Sequence, residues 1–323
     1  MRALVTGGAG FIGSHLADEL IESGAEVVVL DNLATGRLDN LPPKADFVEG
    51  DVADPDLMAK AVSGCDVVFH QAALGSVARS VEQPLASDRS NVHGTLDVLH
   101  SAQVAGVRRV VLASSSSVYG GARQIPTPET APLVPRSPYA VTKLTGEHYA
   151  RVYWELHGLE TVCLRYFNVF GPRQRPDSQY AAVIPLFADA LLTGRRPHVE
   201  GDGLQSRDFT FVSDAVQANV RAAQAPADAC AGRVYNVAHG QPHTLLDLLD
   251  ALATAAGVSA DPTFGAPRPG DVRHSHADIS AARSDLSYEP AVPFDQGLET
   301  TLAWFRSRLQ SGSRRRPREE TAR

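Results

Sequence analysis

A tyrosine and a lysine four residues apart, Tyr139 and Lys143, have the types and the spacing for acid–base chemistry. On a helix, residues four apart lie on the same face, one turn from each other. An ammonium group close to a phenol favours the phenolate, so it lowers the tyrosine pKa from its usual value of about 10. The pair therefore predicts a base that can remove a proton from a hydroxyl group.

A run of four serines, residues 114–117, lies upstream of this pair and follows an apolar stretch at residues 110–113 that is typical of a buried parallel strand. Hydroxyls at the carboxyl end of such a strand lie where open α/β sheets bind their ligands. A hydroxyl relay beside a tyrosine–lysine pair suits hydride chemistry at a carbinol carbon. Most tyrosine–lysine pairs at this spacing are an exposed lysine beside a half-buried tyrosine. Whether this pair is catalytic therefore depends on the elements that surround it.

The N-terminal end of the chain has the pattern of a dinucleotide-binding turn. Gly7, Gly10 and Gly13 follow a short apolar strand at residues 3–5 and open a predicted helix. Gly7 permits a tight turn, Gly10 lets the backbone approach a pyrophosphate, and Gly13 lets the helix pack against the strand. The first N–H groups of the helix would face the anion.

An acidic residue in the expected place supports this interpretation. Asp31 ends the second predicted strand, 18 residues after Gly13. A carboxylate there accepts hydrogen bonds from the ribose diol of an adenosine. It repels the 2′-phosphate of NADP and thus favours NAD, although Arg37 in the next loop could offset that repulsion.

Strands and helices continue to alternate as far as residue 170, which predicts an α/β fold with a Rossmann-type doubly wound parallel sheet. The strand at residues 47–52 contains Asp51, placed to contact adenine. The strand at residues 66–70 is followed by the small residues Ala72 and Ala73, which would let a cofactor lie close to the strand end.

From residue 171, prolines and glycines indicate a smaller, loop-rich lobe, whereas residues 234–237 look like a strand that returns to the main sheet. We therefore expect an NAD-binding domain over residues 1–170, with returning segments at about 208–240. An interleaved C-terminal substrate lobe would comprise residues 171–207 and 241–308, and residues 309–323 would be a disordered tail.

Composition narrows the possible partners. A formal net charge of −7 gives no reason to expect binding to nucleic acid or to an acidic membrane, and no apolar run approaches the length of a membrane span. The three cysteines lack metal-ligand spacing, so we expect reduced thiols, no metal site and a cytoplasmic location. A strand that starts within two residues of Met1 also predicts that there is no signal peptide.

Together these motifs resemble the extended short-chain dehydrogenase/reductases that act on nucleotide sugars, the NAD-dependent epimerase/dehydratase family. The resemblance covers roughly residues 1–306 and includes Leu164-Arg165-Tyr166-Phe167-Asn168, Gly201-Asp202-Gly203, Arg207-Asp208-Phe209 and Arg268-Pro269-Gly270-Asp271. Residues 75–80, 180–185 and 270–275 look most like those of UDP-glucose and UDP-N-acetylglucosamine 4-epimerases.

The resemblance implies a 4-epimerase mechanism. Tyr139 would deprotonate the sugar 4-hydroxyl, Ser115 and Ser116 would relay protons and hold the 4-oxygen, and Lys143 would bind the nicotinamide ribose. Hydride would pass from C4 to tightly held NAD and return to the other face of the 4-keto sugar. The implied cofactor-binding residues are Gly7, Gly10, Phe11, Ile12, Gly13, Asp31, Asn32, Asp51, Val52, Ala72, Ala73, Asn91, Ser114, Tyr139, Lys143 and Tyr166.

The family's contacts to a UDP-sugar also have counterparts here. Asn168, Arg207 and Arg268 match its diphosphate ligands, and Asp271 matches a residue near the uridine ribose. Ser275 matches a position where a bulky residue closes the pocket of some relatives against a 2-acetamido group, so a serine favours N-acetylhexosamines. The implied substrate-binding residues are Ser76, Ser116, Asn168, Ala182, Val183, Arg207, Arg268, Asp271 and Ser275.

Four other functions compete with 4-epimerisation of these sugars. Nucleotide-sugar 4,6-dehydratases carry an Asp-Glu pair where this chain has Ser116 and Ser117, which argues against dehydration. UDP-glucuronate decarboxylases usually carry a glutamate at Ser117, but loss of carbon dioxide from a 4-keto acid needs no strong base. UDP-glucuronate 4-epimerases, some with a similar serine run, and a non-catalytic NAD-binding protein also remain open.

The resemblance also implies a homodimer, because relatives commonly pair through two long helices, here residues 88–105 and 138–157. An apolar stripe of Leu96, Leu99, Val104, Val152 and Leu156 would form the contact. Alternatively, these side chains pack on the chain's own sheet.

Overall fold

The computed structural model describes residues 1–175, 182–267 and 272–314. Its central element is a seven-stranded sheet in the order β3-β2-β1-β4-β5-β6-β11, with every neighbouring pair parallel. This confirms the predicted Rossmann-type doubly wound α/β fold. With all strands numbered in chain order, the sheet contains β1 (Arg2–Thr6), β2 (Glu26–Asp31), β3 (Asp46–Glu49), β4 (Val67–His70), β5 (Arg109–Ser115), β6 (Glu160–Tyr166) and β11 (Arg233–Val237).

Helices cover both faces of the sheet because successive strand residues point to opposite faces and both sets are apolar. Ala3 and Val5 pack with one set of helices, and Leu4 packs with the other. The first face carries α1 (Phe11–Glu22) and α8 (Val212–Gln224). The second carries α2 (Pro55–Ala61), α5 (Gly94–Val104) and α6 (Pro138–His157).

A separate apolar core forms the second lobe. Phe170, Phe209 and Phe294 meet there at ring-centroid distances of 5.6 to 6.3 Å, and Leu248 and Leu298 are completely buried beside them. The lobe's helices are α7 (Val183–Leu192), α10 (Leu245–Ala256) and α12 (Phe294–Arg314). Its short strands pair as β7 (Val169–Phe170) with β10 (Thr210–Phe211), β8 (His198–Glu200) with β13 (Thr263–Gly265), and β9 (Ser206–Asp208) with β12 (Pro242–Thr244).

The chain returns from the second lobe to the main sheet. Strand β11 pairs with β6, as expected for residues 234–237, and Tyr235 lies opposite Leu164. Two further helices, α9 (Ala227–Cys230) and α11 (Ser280–Leu286), flank this edge of the sheet. The buried carboxylate of Asp208 accepts hydrogen bonds from the backbone N–H groups of Gly240 and Ala277, and so joins segments that are distant in sequence.

Residues 74–87, which lacked a predicted element, form α3 (Val77–Glu82) and α4 (Pro84–Asp88). The Ser76 hydroxyl caps α3, and Pro84 starts α4. The helix predicted over residues 88–105 instead begins with a π-helical turn, Arg89–His93, which leads into α5.

At the other end of the chain, residues 309–314 of the predicted disordered tail belong to α12, and the rest of that tail lies outside the described residues. As far as residue 310, Phe305 is the last buried residue of α12, and beyond it Arg308 packs over the Trp304 ring and lies 3.8 Å from Asp39. None of the described helices is long and apolar enough to cross a membrane.

Candidate functional site

A cavity of about 1020 Å³ opens at the carboxyl ends of the central strands, between the sheet and the second lobe. Residues from the ends of β1, β2, β4, β5 and β6 line one side, and residues from α7, β8 and β9 line the other. This is the edge at which doubly wound sheets bind their ligands. The sheet side, predicted to bind the cofactor, and the second-lobe side, predicted to bind the substrate, therefore face the same cavity.

Helix α6 brings Tyr139 and Lys143 to this cavity. The Ser137 hydroxyl caps the helix by accepting a hydrogen bond from the Ala140 N–H, at 3.2 Å. The Lys143 ammonium lies 5.9 Å from the centre of the Tyr139 ring and donates a 2.8 Å hydrogen bond to the Ala113 carbonyl. One side chain thus connects the helix to the end of β5.

The expectation of a lowered tyrosine pKa is not met in this structure. Burial raises the pKa of Tyr139, and the Ser115 side chain offsets only part of that effect. The Lys143 ammonium donates its hydrogen bond to the Ala113 carbonyl and not to the Tyr139 hydroxyl. Burial also lowers the pKa of Lys143 to about 8, so the ammonium itself titrates near physiological pH.

The serine run turns from β5 into a 3-10 turn, Ser116–Tyr119, and all four serines line the cavity. The Ser115 hydroxyl accepts a hydrogen bond from the Ser117 N–H, at 3.2 Å, which fixes the turn. The Ser114 hydroxyl donates a 2.5 Å hydrogen bond to the Glu147 carboxylate behind the cavity wall. Ser114 therefore lines the cavity, as predicted for a cofactor ligand, but its hydroxyl proton is donated to Glu147.

The glycine turn between β1 and α1 is closely packed. Gly7 has a φ of +69°, and a Cβ on Gly7 would lie 2.7 Å from the backbone of Ala72. A Cβ on Gly13 would lie 2.2 Å from the Gly7 carbonyl oxygen, so only glycine fits there without movement of the main chain. Together with Phe11 and Ile12, these glycines line the cavity.

Asp31 lies beside this turn and is 7% exposed. Its carboxylate accepts hydrogen bonds from the Ala9 and Leu33 N–H groups, at 3.0 and 2.8 Å. Asn32 lines the cavity next to it and donates to the Asp51 carboxylate at 3.2 Å. Val52, Ala72, Ala73 and Tyr166 complete the set of cavity-lining residues predicted to bind the cofactor.

Two predicted cofactor ligands do not line the cavity. Asp51 lies behind Asn32, whereas Asn91 is buried in the π-helical turn. The Asn91 side-chain oxygen accepts a hydrogen bond from the Leu74 N–H at 2.8 Å, and its amide donates to the Thr142 hydroxyl at 3.1 Å. Both residues support the cavity wall from behind.

The residues predicted to bind the substrate line the second-lobe side. Asn168 and Arg207 lie there, with Ala182 and Val183 at the start of α7 and with Ser275. Ser76 and Ser116 line the sheet side, although the Ser76 hydroxyl also caps α3. Arg268 and Asp271 lie outside the described residues, as do residues 180 and 181 of one family motif.

Several contributors to the site were absent from the sequence prediction. The Ser80 hydroxyl accepts a hydrogen bond from the Tyr139 N–H at 3.0 Å, and Gln71 binds the Tyr166 hydroxyl at the end of β4. Glu147 supports Ser114, and its position four residues after Lys143 on α6 is the one signal that could have revealed it. The contacts of Ser80 and Gln71 depend on tertiary packing.

Comparison with known proteins identifies the family. The profile of the NAD dependent epimerase/dehydratase family matches residues 3–238. The chain belongs to this family. Among its relatives, the UDP-glucose 4-epimerase of Mycolicibacterium smegmatis is 42% identical over 317 residues, which cover 96% of this chain and all of the relative.

Solved structures of epimerases share the fold over nearly the whole chain. The UDP-glucose 4-epimerase of Thermotoga maritima, solved with UDP-glucose, has a TM-score of 0.92 and 38% identity, covering 96% of this chain and 100% of its own. The UDP-N-acetylglucosamine 4-epimerase of Methanobrevibacter ruminantium M1, solved with UDP-N-acetylmuramic acid, has a TM-score of 0.91 and 39% identity, covering 95% and 98%.

Membership of this NAD-dependent family confirms NAD as the cofactor. The described residues fit it, because the close packing at Gly7 and Gly13 leaves the first turn of α1 open to the cavity, with Asp31 at its side. The open N–H groups of a helix N-terminus suit a pyrophosphate, and the carboxylate suits a ribose diol.

We expect Gly13→Ala to weaken NAD binding by about tenfold or more, because a Cβ there would displace the Gly7 carbonyl and the turn that faces the pyrophosphate. Loss of one hydrogen bond to a charged group costs about 1.5–3 kcal/mol, and 1.4 kcal/mol is tenfold in affinity. Calorimetric titration with NAD, after bound NAD has been removed from the protein, would measure this effect. Gly146→Ala is a matched control on α6, where a Cβ would make only a 3.6 Å contact with Thr95. Wild-type affinity in Gly13→Ala would contradict the role of the turn.

Proposed function

We propose that the protein is an NAD-dependent UDP-sugar 4-epimerase. The observation that carries this proposal is the convergence of Tyr139, Lys143 and Ser115 with the glycine turn in one cavity. A phenol base, a hydroxyl and a dinucleotide-binding turn are the groups needed to oxidise a sugar carbinol and reduce it again. The relatives compared above support the same reaction class.

In this proposal, Tyr139 removes the proton of the sugar 4-hydroxyl, and the hydroxyls of Ser115 and Ser116 hold the 4-oxygen. NAD, held by the glycine turn and Asp31, would supply the hydride acceptor for oxidation at C4 and the hydride donor for its reduction from the opposite face. Tyr139 then returns the proton, so the overall reaction changes no oxidation state. Lys143 supplies the positive charge that a buried phenolate requires, since burial alone raises the pKa of Tyr139.

The second-lobe side of the cavity would hold the nucleotide. Arg207 and Asn168 lie on strand β9 and just after β6, where their side chains can reach a diphosphate. A guanidinium binds phosphate oxygens through two parallel hydrogen bonds. Arg268 and Asp271 remain proposed ligands from the family motif.

We further propose UDP-glucose or UDP-N-acetylglucosamine as the sugar. Ser275 lines the cavity, where a small side chain leaves room for a 2-acetamido group. Dehydration is disfavoured because Ser116 and Ser117 offer hydroxyls where elimination needs a carboxylate base. Decarboxylation or epimerisation of UDP-glucuronate shares the first half-reaction and is distinguished by its product.

The protein should be incubated with UDP-glucose, UDP-N-acetylglucosamine and UDP-glucuronate in turn, and the products read by NMR and mass spectrometry. We expect UDP-glucose or UDP-N-acetylglucosamine to give an isomer of unchanged mass with inverted C4. A product lighter by carbon dioxide or water would contradict epimerisation.

The variant Tyr139→Phe tests the role of the tyrosine. It should keep its bound NAD but lose about 10²–10⁴-fold in turnover, the usual contribution of a general base. Near-normal turnover of Tyr139→Phe would contradict this role.

Ser275→Tyr tests the proposed sugar specificity. The larger side chain should reduce kcat/KM for UDP-N-acetylglucosamine about tenfold more than for UDP-glucose, because the steric cost of about 1–3 kcal/mol falls on the acetamido group. Equal losses for the two sugars would remove the argument from pocket size.

We also propose a homodimer in which α6 faces a second copy of the chain. Val141, Val152 and Leu156 are 49%, 43% and 72% exposed and form an apolar stripe on the side of α6 opposite Tyr139, with Val104 of α5 69% exposed nearby. Leu99, which was predicted to belong to this stripe, is instead completely buried in the sheet core.

Sedimentation should therefore show a dimer at micromolar concentration, and Leu156→Glu should shift it toward monomer because a charge would be buried in the contact. Leu309→Glu, at an exposed leucine of α12, is the matched control and should leave the dimer intact. A monomeric wild-type protein would refute this proposal.

A further inference from the structure

Helix α6 extends one turn beyond the catalytic pair, and a third polar residue lies on the same face. Glu147 follows Lys143 by four residues, as Lys143 follows Tyr139. Lys143 and Glu147 contact adjacent residues of β5, since the ammonium binds the Ala113 carbonyl and the carboxylate binds the Ser114 hydroxyl. Unlike the other two, Glu147 does not line the cavity and is only 6% exposed.

The Glu147 carboxylate is held rigidly by Arg165 of β6. The guanidinium Nε donates to Oε1 at 2.9 Å and Nη2 donates to Oε2 at 2.7 Å, which is the bidentate geometry of a strong ion pair. Arg165 is fixed on its other side by hydrogen bonds to the Tyr119 hydroxyl and the Glu129 carbonyl, at 2.8 and 3.1 Å. The Glu147 carboxylate therefore has little freedom to change its position between α6 and β6.

The titratable and charged groups around Lys143 come from three elements: Tyr139 and Glu147 on α6, Cys163 and Arg165 on β6, and His70 on β4. Burial raises the pKa of the Cys163 thiol far above its usual value. Burial lowers the pKa of His70 to about 3, so both groups are neutral at physiological pH. Among the described residues, Glu147 is thus the anion that faces the ammonium.

Burial lowers the pKa of Lys143 to about 8, whereas Cys163 and Glu147 act in the opposite direction. Since the thiol is uncharged, only the smaller of these two opposing effects, that of the Glu147 carboxylate, applies at physiological pH. The guanidinium of Arg165 binds that carboxylate and packs over the Tyr119 ring, 4.8 Å from its centre. Its positive charge partly neutralises the Glu147 carboxylate and so reduces the effect of that carboxylate on the pKa of Lys143.

We propose that Glu147 is a positioning residue whose carboxylate, held by Arg165 and Ser114, is the counter-charge that keeps the Lys143 ammonium ionised. The role of that ammonium in catalysis rests on the proposed function, but the charge relation itself does not. Under the proposed function, an unprotonated Lys143 could neither stabilise the Tyr139 phenolate nor attract the cofactor's ribose oxygens as a cation.

The composition of the chain permits a direct measurement. Lys44, Lys60 and Lys143 are the three lysines, and the first two are exposed. In protein labelled with ¹³C-lysine, the side-chain Cε signals can therefore be assigned and followed as the pH is raised. Lys44 and Lys60 serve as internal references for the titration of Lys143.

Two variants should move this titration in opposite directions. Glu147→Gln removes the counter-charge, so the Lys143 pKa should fall by about 1 unit or more. Arg165→Leu frees the carboxylate from its other partner, so the Lys143 pKa should rise. Each variant leaves one charge of the same buried pair uncompensated, so a merely structural role predicts similar damage from both and no opposite shifts.

Glu155→Gln, at an exposed glutamate of the same helix, is the control and should leave the titration unchanged. If either single variant fails to fold, the double variant Glu147→Gln/Arg165→Leu has no uncompensated charge. It should still lower the Lys143 pKa, because Glu147 raises that pKa and Arg165 is not among the groups that shift it directly. An unchanged Lys143 titration in the folded variants would overturn the proposal.

The outcome is independent of turnover. A wild-type protein that epimerises no UDP-sugar would refute the proposed function but not the charge relation. In an active enzyme, the alkaline limb of the pH–rate profile should move to lower pH in Glu147→Gln and to higher pH in Arg165→Leu. If the alkaline limbs of the two variants moved in opposite directions while the Lys143 pKa measured by NMR stayed unchanged, the effect would belong to another group. That result would overturn the proposal.

Discussion

The buried ion pair between Glu147 and Arg165 is the interaction on which the arrangement of the site depends. It joins α6 to the centre of the sheet at the level where β5 and β6 end, and Arg165 extends it through Tyr119 to Asn236 of β11. Burying two charges is costly unless nearly every polar atom is paired. Here both carboxylate oxygens and all three guanidinium nitrogens have partners, so the pair defines one position for the helix.

Main-chain connections as well as side-chain hydrogen bonds fix the two lobes relative to each other. Strand β11 belongs to the sheet and α8 packs on it, whereas the segments before and after them build the second lobe. The chain therefore passes between the lobes repeatedly. The Asp208 carboxylate binds the main chain on both sides of that passage. The cavity wall formed by β9 is consequently tied to the same framework that positions Tyr139.

Much of the site follows from local sequence spacing. Gly7, Gly10 and Gly13 predict the turn because their geometry is set within one strand–turn–helix unit, and Tyr139 and Lys143 share a face through helical periodicity alone. The Ser114–Glu147–Arg165 cluster could not be derived in this way, since Ser114 meets Arg165 only through the register of β5 and β6. Helices α3 and α4 escaped prediction because they are too short to show a periodicity.

The π-helical turn between α4 and α5 gives the loop after β4 an unusual support. It turns the Asn91 side chain inward, where its amide binds both the N–H and the carbonyl of Leu74, at 2.8 and 3.4 Å. A side-chain amide that binds both the backbone N–H and the carbonyl of one residue makes the same two hydrogen bonds that a neighbouring β-strand would make to that residue. The loop thereby gains sheet-like order without sheet neighbours. Its next residues, Gly75 and Ser76, line the cavity, so this amide supports that part of the cavity wall from behind.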